Sequence, residues 1–417
     1  MFFLVPAPGR PASGEGRHQV RGEYAVRRGE HRFGGIGPVF VVLTALILNS
    51  CSETYFPEPK EEGGWRKNID PDFLISLGIN PRGVNNYLFY NLRSKMATSA
   101  LVIKDGWIVG EWYKTPELKD EEIYVASVAK AFTLACFGIA VKDGAEGRLP
   151  VTVNRSSKLY DPRWLAVGYP LSDPRKAEIT FDQVFRHTAG FAHESLIDEG
   201  GRDQWSDYES WVVGRDPQWP ETARLIYPPG RPGHLAEPDN WGDQLCCYSS
   251  LGFAHIGLIL QQLYNMPARD VLWERLLEPI GFSGIDFYKP PAPPSLMWFS
   301  GAGLKMTTRD LGRFAYFMVN DGTWKNRRLL PEGWLDSFVS TPYYPNLRSN
   351  ADGYFGDRYP KDFYRMFGSG GNFVFIVPSE NLIVITTGHT LNFFIKTMER
   401  DLVNRVFDML IAYRPLE

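Results

Sequence analysis

Runs of apolar residues separated by polar turns lie towards both ends of this chain and predict β-hairpins. Ala100–Tyr113 contains two apolar runs around Asp105-Gly106, a pair typical of a tight two-residue hairpin turn. Phe373–Val377 and Leu382–Thr386 flank a Pro-Ser-Glu-Asn segment and predict a second hairpin near the C-terminus. Strands are therefore expected on either side of a long central stretch.

Longer apolar stretches between the hairpins predict helices. Ser127–Val141 is dense in Ala, Leu, Phe and Ile, and Ser249–Tyr264 places its large apolar residues on one face. A capping-box sequence at Thr180 is expected to open a short helix. Two more helices are expected, from Thr307 and over about 392–410. The pattern indicates a mixed α/β domain whose sheet is completed by the C-terminal segment, with a helical insertion.

A ten-residue apolar run, Val39–Leu48, comes just before Asn49-Ser50-Cys51. The run is too short to span a bilayer and is typical of the core of a signal peptide. The residues that end at Cys51 resemble a bacterial lipoprotein box, which implies a lipidated Cys51, a membrane anchor and a periplasm-facing place in the cell envelope. A short buried strand before the domain is the alternative. We expect a leader over 1–51, a tether over 52–64 and a folded domain over 65–417.

Composition narrows the class of protein. With 45 Lys+Arg against 48 Asp+Glu the net charge is −3, which excludes a nucleic-acid binder that relies on bulk positive charge. The 22% charged and 14% aromatic residues exclude a largely disordered chain, and four cysteines in 417 residues exclude a disulfide scaffold. Cys246 and Cys247 are adjacent, so either two free thiols or a vicinal disulfide is expected. No His or Cys has the spacing of a metal site, and no metal or organic cofactor is expected.

The sequence feature that points to chemistry is Ser127-Val-Ala-Lys130, the only Ser-x-x-Lys in the chain. On a helix, a spacing of three places Ser127 and Lys130 on one face, within reach of each other. The start of a helix favours a developing negative charge, and burial lowers the pKa of a lysine, which makes it a usable base. Serine needs such a partner to act as a nucleophile. The alternative is a capped surface helix with an extended lysine.

Four further segments follow Ser127-x-x-Lys130 along the chain. They are His187-Thr-Ala-Gly190, Tyr248-Ser-Ser250, Ser300-Gly-Ala-Gly-Leu304 with Thr307-Thr308 after it, and Gly368-Ser-Gly-Gly-Asn372. Together with Ser127-x-x-Lys130, this order resembles the serine β-lactamase-related family of class C β-lactamases, D-alanyl-D-alanine carboxypeptidases, esterases and aminohexanoate-oligomer hydrolases. The resemblance implies a β-lactamase/transpeptidase-like α+β fold. An antiparallel sheet flanked by helices would be formed by about 65–149 and 300–417, with an all-helical region over about 150–299.

The resemblance also implies roles for individual residues. Ser127 would be the acylated nucleophile and Lys130 its immediate partner. Tyr248 would be the general base and would later activate water, while Ser250 would contact Lys130 or the substrate. His187 could suggest a Ser-His pair, but in the family this loop is mainly structural.

The glycine-rich strand near the C-terminus carries two more expectations. An oxyanion hole is implied between the backbone N–H groups of Ser127 and Ser369, beside Gly370. β-Lactamases and carboxypeptidases of the family carry a Lys- or His-[Ser/Thr]-Gly tripeptide whose cation faces the substrate carboxylate, whereas this chain has Met366-Phe-Gly368. A site that lacks the cation disfavours anionic substrates, although Arg365 could substitute for it.

The expected function is a serine hydrolase that cleaves a neutral or weakly charged ester or amide through an acyl-enzyme. One alternative is a peptidoglycan D-alanyl-D-alanine carboxypeptidase or β-lactamase in which Arg365 holds the substrate carboxylate. A second is a non-catalytic envelope protein that binds cell-wall peptides. The complete set of Ser127, Lys130 and Tyr248 argues against the second, because a binding module has no need of all three.

Overall fold

A six-stranded antiparallel sheet forms the centre of the structure, with helices on both of its faces. The computed structural model describes residues 54–192, 207–220, 222–230, 248–287, 300–340, 347–388 and 395–411. These residues fall within one compact unit, Glu53–Glu417. The predicted leader with Cys51, and the pair Cys246 and Cys247, lie outside the described residues.

The strands in the described part of the chain are β1 (Ala97–Lys104), β2 (Trp107–Tyr113), β3 (Ile123–Tyr124), β4 (Asp286–Phe287), β5 (Leu304–Met306), β6 (Thr323–Trp324), β7 (Arg327–Arg328), β8 (Arg348–Ser349), β9 (Tyr364–Gly368), β10 (Asn372–Val377) and β11 (Leu382–Gly388). The helices are α1 (Pro71–Ser76), α2 (Pro81–Arg93), α3 (Ala129–Ala145), α4 (Phe181–Phe185), α5 (Tyr208–Val213), α6 (Ser250–Tyr264), α7 (Ala268–Leu272), α8 (Thr308–Val319), α9 (Asp336–Val339) and α10 (Ile395–Leu410). Short 3-10 turns include Lys60–Glu62, which precedes α1, and Ala126–Val128, which lies between β3 and α3.

Both predicted hairpins are present, and they meet at the centre of the sheet. The strand order is β2-β1-β11-β10-β9-β8, and neighbouring strands are antiparallel. Strand β1 pairs with β11 from Ala97 opposite Gly388 to Lys104 opposite Leu382. The sheet therefore joins the N-terminal and C-terminal parts of the domain, and the predicted α+β class is confirmed.

Both faces of the sheet are covered, which explains why β1, β10 and β11 are buried along their whole length. Successive side chains of a strand point to opposite faces. Ala100 and Val102 pack with α1, α2, α10 and the loop 350–363, which we call the outer layer. Leu101 and Ile103 pack on the other face with α3, α8 and the helices of the central region, which we call the inner layer.

Two local interactions shape the helices of the inner layer. The predicted capping box is present: the Thr180 side chain accepts the Gln183 N–H, and the Gln183 side chain accepts the Thr180 N–H. In α6, His255 lies with Nε2 2.8 Å from the Tyr160 hydroxyl and Nδ1 2.9 Å from the Leu251 carbonyl. Because a carbonyl can only accept, Nδ1 carries the proton and Nε2 accepts from Tyr160. Burial lowers the pKa of His255 to about 3, so this ring is a neutral support for α6.

Residues 54–64, which belong to the stretch 52–64 predicted as a tether, contact the domain; we call them the strap. Phe56 packs against Tyr316 of α8, with ring centroids 5.7 Å apart. The buried guanidinium of Arg313 donates to the Pro57 carbonyl at 2.9 Å and to the next carbonyl along the chain. The sequence suggested a tether because prolines and charges surround the one aromatic pair that anchors the segment.

We expect Arg313→Ala to lower the free energy of unfolding by about 1–3 kcal/mol, because two strap carbonyls and Asp310 lose a buried partner. Chemical denaturation measures this loss. Arg327→Ala is the matched control, since Arg327 is exposed on β7, and should change the free energy by less than about 0.5 kcal/mol. Equal small effects of the two substitutions would show that Arg313 does not hold the strap.

Candidate active site

Ser127 lies in a tight turn that joins β3 to α3. The turn is the 3-10 segment Ala126–Val128, and Ala126 has a φ of 48°, in the left-handed region that residues with a Cβ rarely adopt. Strand β9 packs closely on this turn, because a Cβ on Gly368 would collide with the carbonyl oxygen of Val125. The strained turn and the glycine together bring the backbone of Ser127 next to the end of β9.

Lys130 is fully buried in the first turn of α3. Its ammonium donates to Ser127 Oγ at 3.0 Å, to Ser250 Oγ at 2.8 Å and to the Gly301 carbonyl at 2.7 Å. An ammonium has three N–H donors, and each of these neutral oxygens can accept one of them. Lys130 therefore joins three separate segments of the chain at one point.

Tyr248 reaches the same serine from the residues that precede α6. Its hydroxyl donates to Ser127 Oγ at 2.9 Å, and the centre of its ring lies 4.8 Å from Lys130 Nζ. The structure thus brings together Ser127, Lys130, Tyr248 and Ser250, as the sequence grouped them. A buried cation and a phenol therefore converge on a single hydroxyl.

His187 supports Tyr248 from the opposite side of its ring. The two rings stack with centroids 4.2 Å apart and an interplanar angle of 18°. The Nδ1 atom of His187 accepts the backbone N–H of Ser249 at 3.0 Å, so Nδ1 bears no proton in this arrangement. These contacts orient the tyrosine and match the structural role implied for the His187 loop.

Gly301 is a site residue whose role the sequence did not indicate. A Cβ on this residue would lie 2.6 Å from the Cβ of Ser250, closer than two carbon atoms can approach. The neighbouring Ser300 is fixed as well, because its carbonyl accepts from Thr133 at 2.6 Å. The absence of a side chain lets the Gly301 carbonyl reach Lys130. The run of small residues in this segment was the available signal.

Asn372 is a second residue that sequence reasoning left without a role. Its side chain is buried, and Nδ2 donates to the Ser369 carbonyl at 2.8 Å and to the Tyr124 carbonyl at 3.3 Å. Its Oδ1 accepts the Gly388 N–H at 3.4 Å. Tyr124 ends β3, three residues before Ser127. One amide therefore ties the turn that carries Ser369 to the turn that carries Ser127.

Strand β9 directs Arg365 away from Ser127, contrary to the expectation that it could hold a substrate carboxylate. Side chains alternate along a strand, so Arg365 points to the face opposite Gly368, where it forms a salt bridge with Glu399 of α10. Met366 shares the face of Gly368 and is fully buried. Gly370, with a φ of 89°, lies in the turn that leads to β10. Strand β9 therefore presents no cation to the serine.

Comparisons with known proteins agree with this architecture. The model of the beta-lactamase family matches residues 91–393. One similar structure is the "Putative 6-aminohexanoate-dimer hydrolase from Bacillus anthracis", with 16% identity, a TM-score of 0.55, and coverage of 84% of this chain and 89% of that chain. Another is "EstCE1, a hydrolase with promiscuous acyltransferase activity", with 14% identity, a TM-score of 0.56, and coverage of 81% and 99%.

A further similar structure is a penicillin-binding protein homolog from Caulobacter crescentus, with 14% identity, a TM-score of 0.51, and coverage of 83% of this chain and 98% of that chain. A comparison with curated proteins finds no match. At identities this low, likeness to the solved structures shows the fold alone.

We expect Asn372→Ala to slow the covalent reaction of Ser127 with a fluorophosphonate by about tenfold or more, because the Ser369 turn loses its tie to the serine. Intact-protein mass spectrometry follows the rate. Asn350→Ala is the matched control: Asn350 is also buried and donates to carbonyls, but it lies in the outer layer. The Asn350→Ala control should lose stability, but its Ser127 should react with the fluorophosphonate at an unchanged rate. An unchanged rate in Asn372→Ala would contradict the positioning role.

Proposed function

The chain belongs to the beta-lactamase family, and we propose that it is a serine hydrolase that cleaves a neutral or weakly charged ester or amide through an acyl-enzyme on Ser127. Members of this family are serine hydrolases. The observation that carries the proposal is the pair of hydrogen bonds that Ser127 Oγ receives from Lys130 and Tyr248. A hydroxyl held beside a potential base and a buried cation is what a nucleophilic serine requires.

In the proposed acylation step, Tyr248 takes the proton of Ser127 as the serine oxygen attacks the substrate carbonyl. The phenol must first lose its own proton to solvent, and a nearby cation favours the phenolate. The Lys130 ammonium, 4.8 Å from the ring centre, supplies that charge. The proton then passes to the leaving oxygen or nitrogen, whose bond to the carbonyl carbon breaks, and the acyl-enzyme remains.

Deacylation would use the same groups in the opposite order. Tyr248 takes a proton from a water molecule and the water oxygen attacks the acyl carbonyl. The bond to Ser127 Oγ then breaks, and Tyr248 passes that proton to Ser127 as the acid leaves. In both steps, the negative charge on the carbonyl oxygen would be held by the backbone N–H groups of Ser127 and Ser369. The close approach of Gly368 to the serine turn and the Asn372 amide support this pairing.

The preference for uncharged substrates rests on strand β9. A carboxylate that binds a site without a cation loses its hydration and gains no ion pair in return. The position on the face of Gly368 where the family has its cation holds Met366, which is fully buried. Arg365 is paired with Glu399 in the other layer, so the carboxypeptidase or β-lactamase that relied on Arg365 loses its main support.

We also propose that the protein is a periplasm-facing lipoprotein of the bacterial cell envelope, anchored through a lipid on Cys51. The support is the sequence alone: an apolar run that ends at a lipoprotein-like box. None of the described helices combines the length and the apolar character that crossing a bilayer requires.

For the hydrolase, we expect the purified protein to be labelled by a fluorophosphonate and to hydrolyse p-nitrophenyl esters faster than nitrocefin or a D-Ala-D-Ala peptide. Ser127→Ala should abolish both labelling and turnover, and Tyr248→Phe should lower kcat about 10²–10⁴-fold, because the proton acceptor is lost. Tyr354→Phe, on the exposed loop of the outer layer, is the matched control and should leave kcat unchanged.

Two results would contradict different parts of the proposal. A protein with its normal fold that shows neither labelling nor turnover is not a hydrolase and would favour the binding-protein alternative. Nitrocefin turnover faster than ester turnover would leave the serine chemistry standing and overturn the argument drawn from Met366.

For the anchor, we expect Cys51→Ala to move the protein, expressed as the full chain in a bacterium, from the detergent phase to the aqueous phase of a Triton X-114 partition. Cys136→Ala is the matched control, because Cys136 is a buried thiol of α3. Mass spectrometry of the N-terminal peptide identifies the acyl groups directly. An unmodified peptide that begins at Met1 would refute the anchor.

A further inference from the structure

The large apolar side chains that are exposed in the described part of the chain are all in one layer. Ile75 lies on α1, and Phe89 and Leu92 lie on α2. Ile69 lies just before α1, Ile411 just after α10, and Tyr354 on the loop that packs on α10. The described residues of the inner layer contribute none. The outer layer is therefore the side of the described protein on which exposed apolar side chains concentrate.

Helix α2 carries the most apolar part of this side. Phe89 is 54% exposed and Leu92 is 56% exposed, whereas Val84 and Tyr87 point into the core. Arg82 and Arg93 share the exposed face of the helix, which has no carboxylate anywhere along its length. A helix whose outer face mixes arginines with large apolar residues has the composition of interfacial helices.

A shallow cleft of about 320 Å³ lies beside this face, between α2 and α10. Its lining combines two arginines with two aromatic rings and two small polar residues: Asn86, Phe89, Tyr90, Arg93, Ser94 and Arg405. The Arg405 guanidinium stacks 4.5 Å from the Tyr90 ring centre, and its buried Nε has no hydrogen-bond partner among the described residues. Arg93 lies 5.2 Å from the Phe89 ring centre.

These two guanidinium groups suit a phosphate. Stacking on a ring satisfies the face of a guanidinium but leaves its N–H donors at the edge, and those donors match the oxygens of a phosphate. Of the carboxylates of α10, Glu399 pairs with Arg365. The negative charge of Asp401 lies beside Tyr90 and Arg405, and the two arginines of the cleft outnumber it. The cleft therefore has positive charge to offer to an anion.

We propose that this side of the outer layer docks on the surface of an anionic phospholipid bilayer. Arg93 and Arg405 bind a headgroup phosphate in the cleft, while Phe89 and Leu92 enter the interface next to it. A cleft of this size fits a headgroup and is too small for a helix or strand of a protein partner. The proposal concerns a surface remote from Ser127 and holds whether or not the hydrolase assignment does. It also gives the domain its own weak affinity for the bilayer, beside any lipid at Cys51.

The test is co-sedimentation of the full chain with vesicles of phosphatidylglycerol and phosphatidylcholine, or of phosphatidylcholine alone. Every variant carries Cys51→Ala, so that no covalent lipid contributes and the leader is the same throughout. We expect binding to the anionic vesicles, with affinity reduced at least about fivefold by Phe89→Ala/Leu92→Ala and by Arg93→Gln/Arg405→Gln. Arg327→Gln/Arg328→Gln removes the same charge from the exposed β7 and should leave the affinity unchanged.

Several outcomes would overturn the proposal. An equal loss in the β7 control would mean that binding follows net charge and not this surface. Equal binding by all variants would assign the affinity to the leader. A dimer in sedimentation velocity without lipid, lost in Phe89→Ala/Leu92→Ala, would make a second copy the occupant. Thermal unfolding checks the fold of each variant, and the Phe89/Leu92 pair remains a complete test if an arginine variant is unstable.

Discussion

A single buried ammonium organises the functional part of this fold. Taking the charge of Lys130 out of water costs several kcal/mol unless polar atoms replace the lost hydration. Ser127, Ser250 and the Gly301 carbonyl supply those atoms, and they come from elements far apart in sequence. The hydrogen bonds that the buried Lys130 requires therefore hold α3, α6 and the segment before β5 close together. The proposed chemistry uses a geometry that burial of this charge already requires.

The elements that could be predicted from sequence are those with a strong local signal. Asp105-Gly106 specifies its own turn, and Thr180 specifies the start of its helix, so both were found without knowledge of the fold. Helices α1 and α2 were missed, although Asp70 and Asn80 each cap a helix that begins with proline. That signal was present in the sequence. The contacts of the strap could not be predicted, because they depend on Arg313, more than 250 residues away.

The features of the site also separate into those with a local sequence signal and those that depend on distant parts of the chain. Ser127 and Lys130 meet because a helix brings residues three apart together, so their contact follows from local geometry. The directions of Arg365 and Met366 depend on the register of β9 against β10, where a shift of one residue exchanges the two faces. The contacts of Gly301 and Asn372 depend on how segments pack across the site. Tertiary packing sets these contacts, and a short window of sequence does not specify them; the small residues around Gly301 indicate only that their segment packs closely.

The pairing of β1 with β11 has a consequence for folding during synthesis of the protein. The strand beside the serine turn, Tyr364–Gly368, and the strand at the centre of the sheet, Leu382–Gly388, are both translated after the whole central region. A nascent chain that lacks them cannot close its sheet, and contacts of such long sequence separation form slowly. Until β9 and β11 are made, the sheet stays open and the serine turn lacks the strand that packs on it.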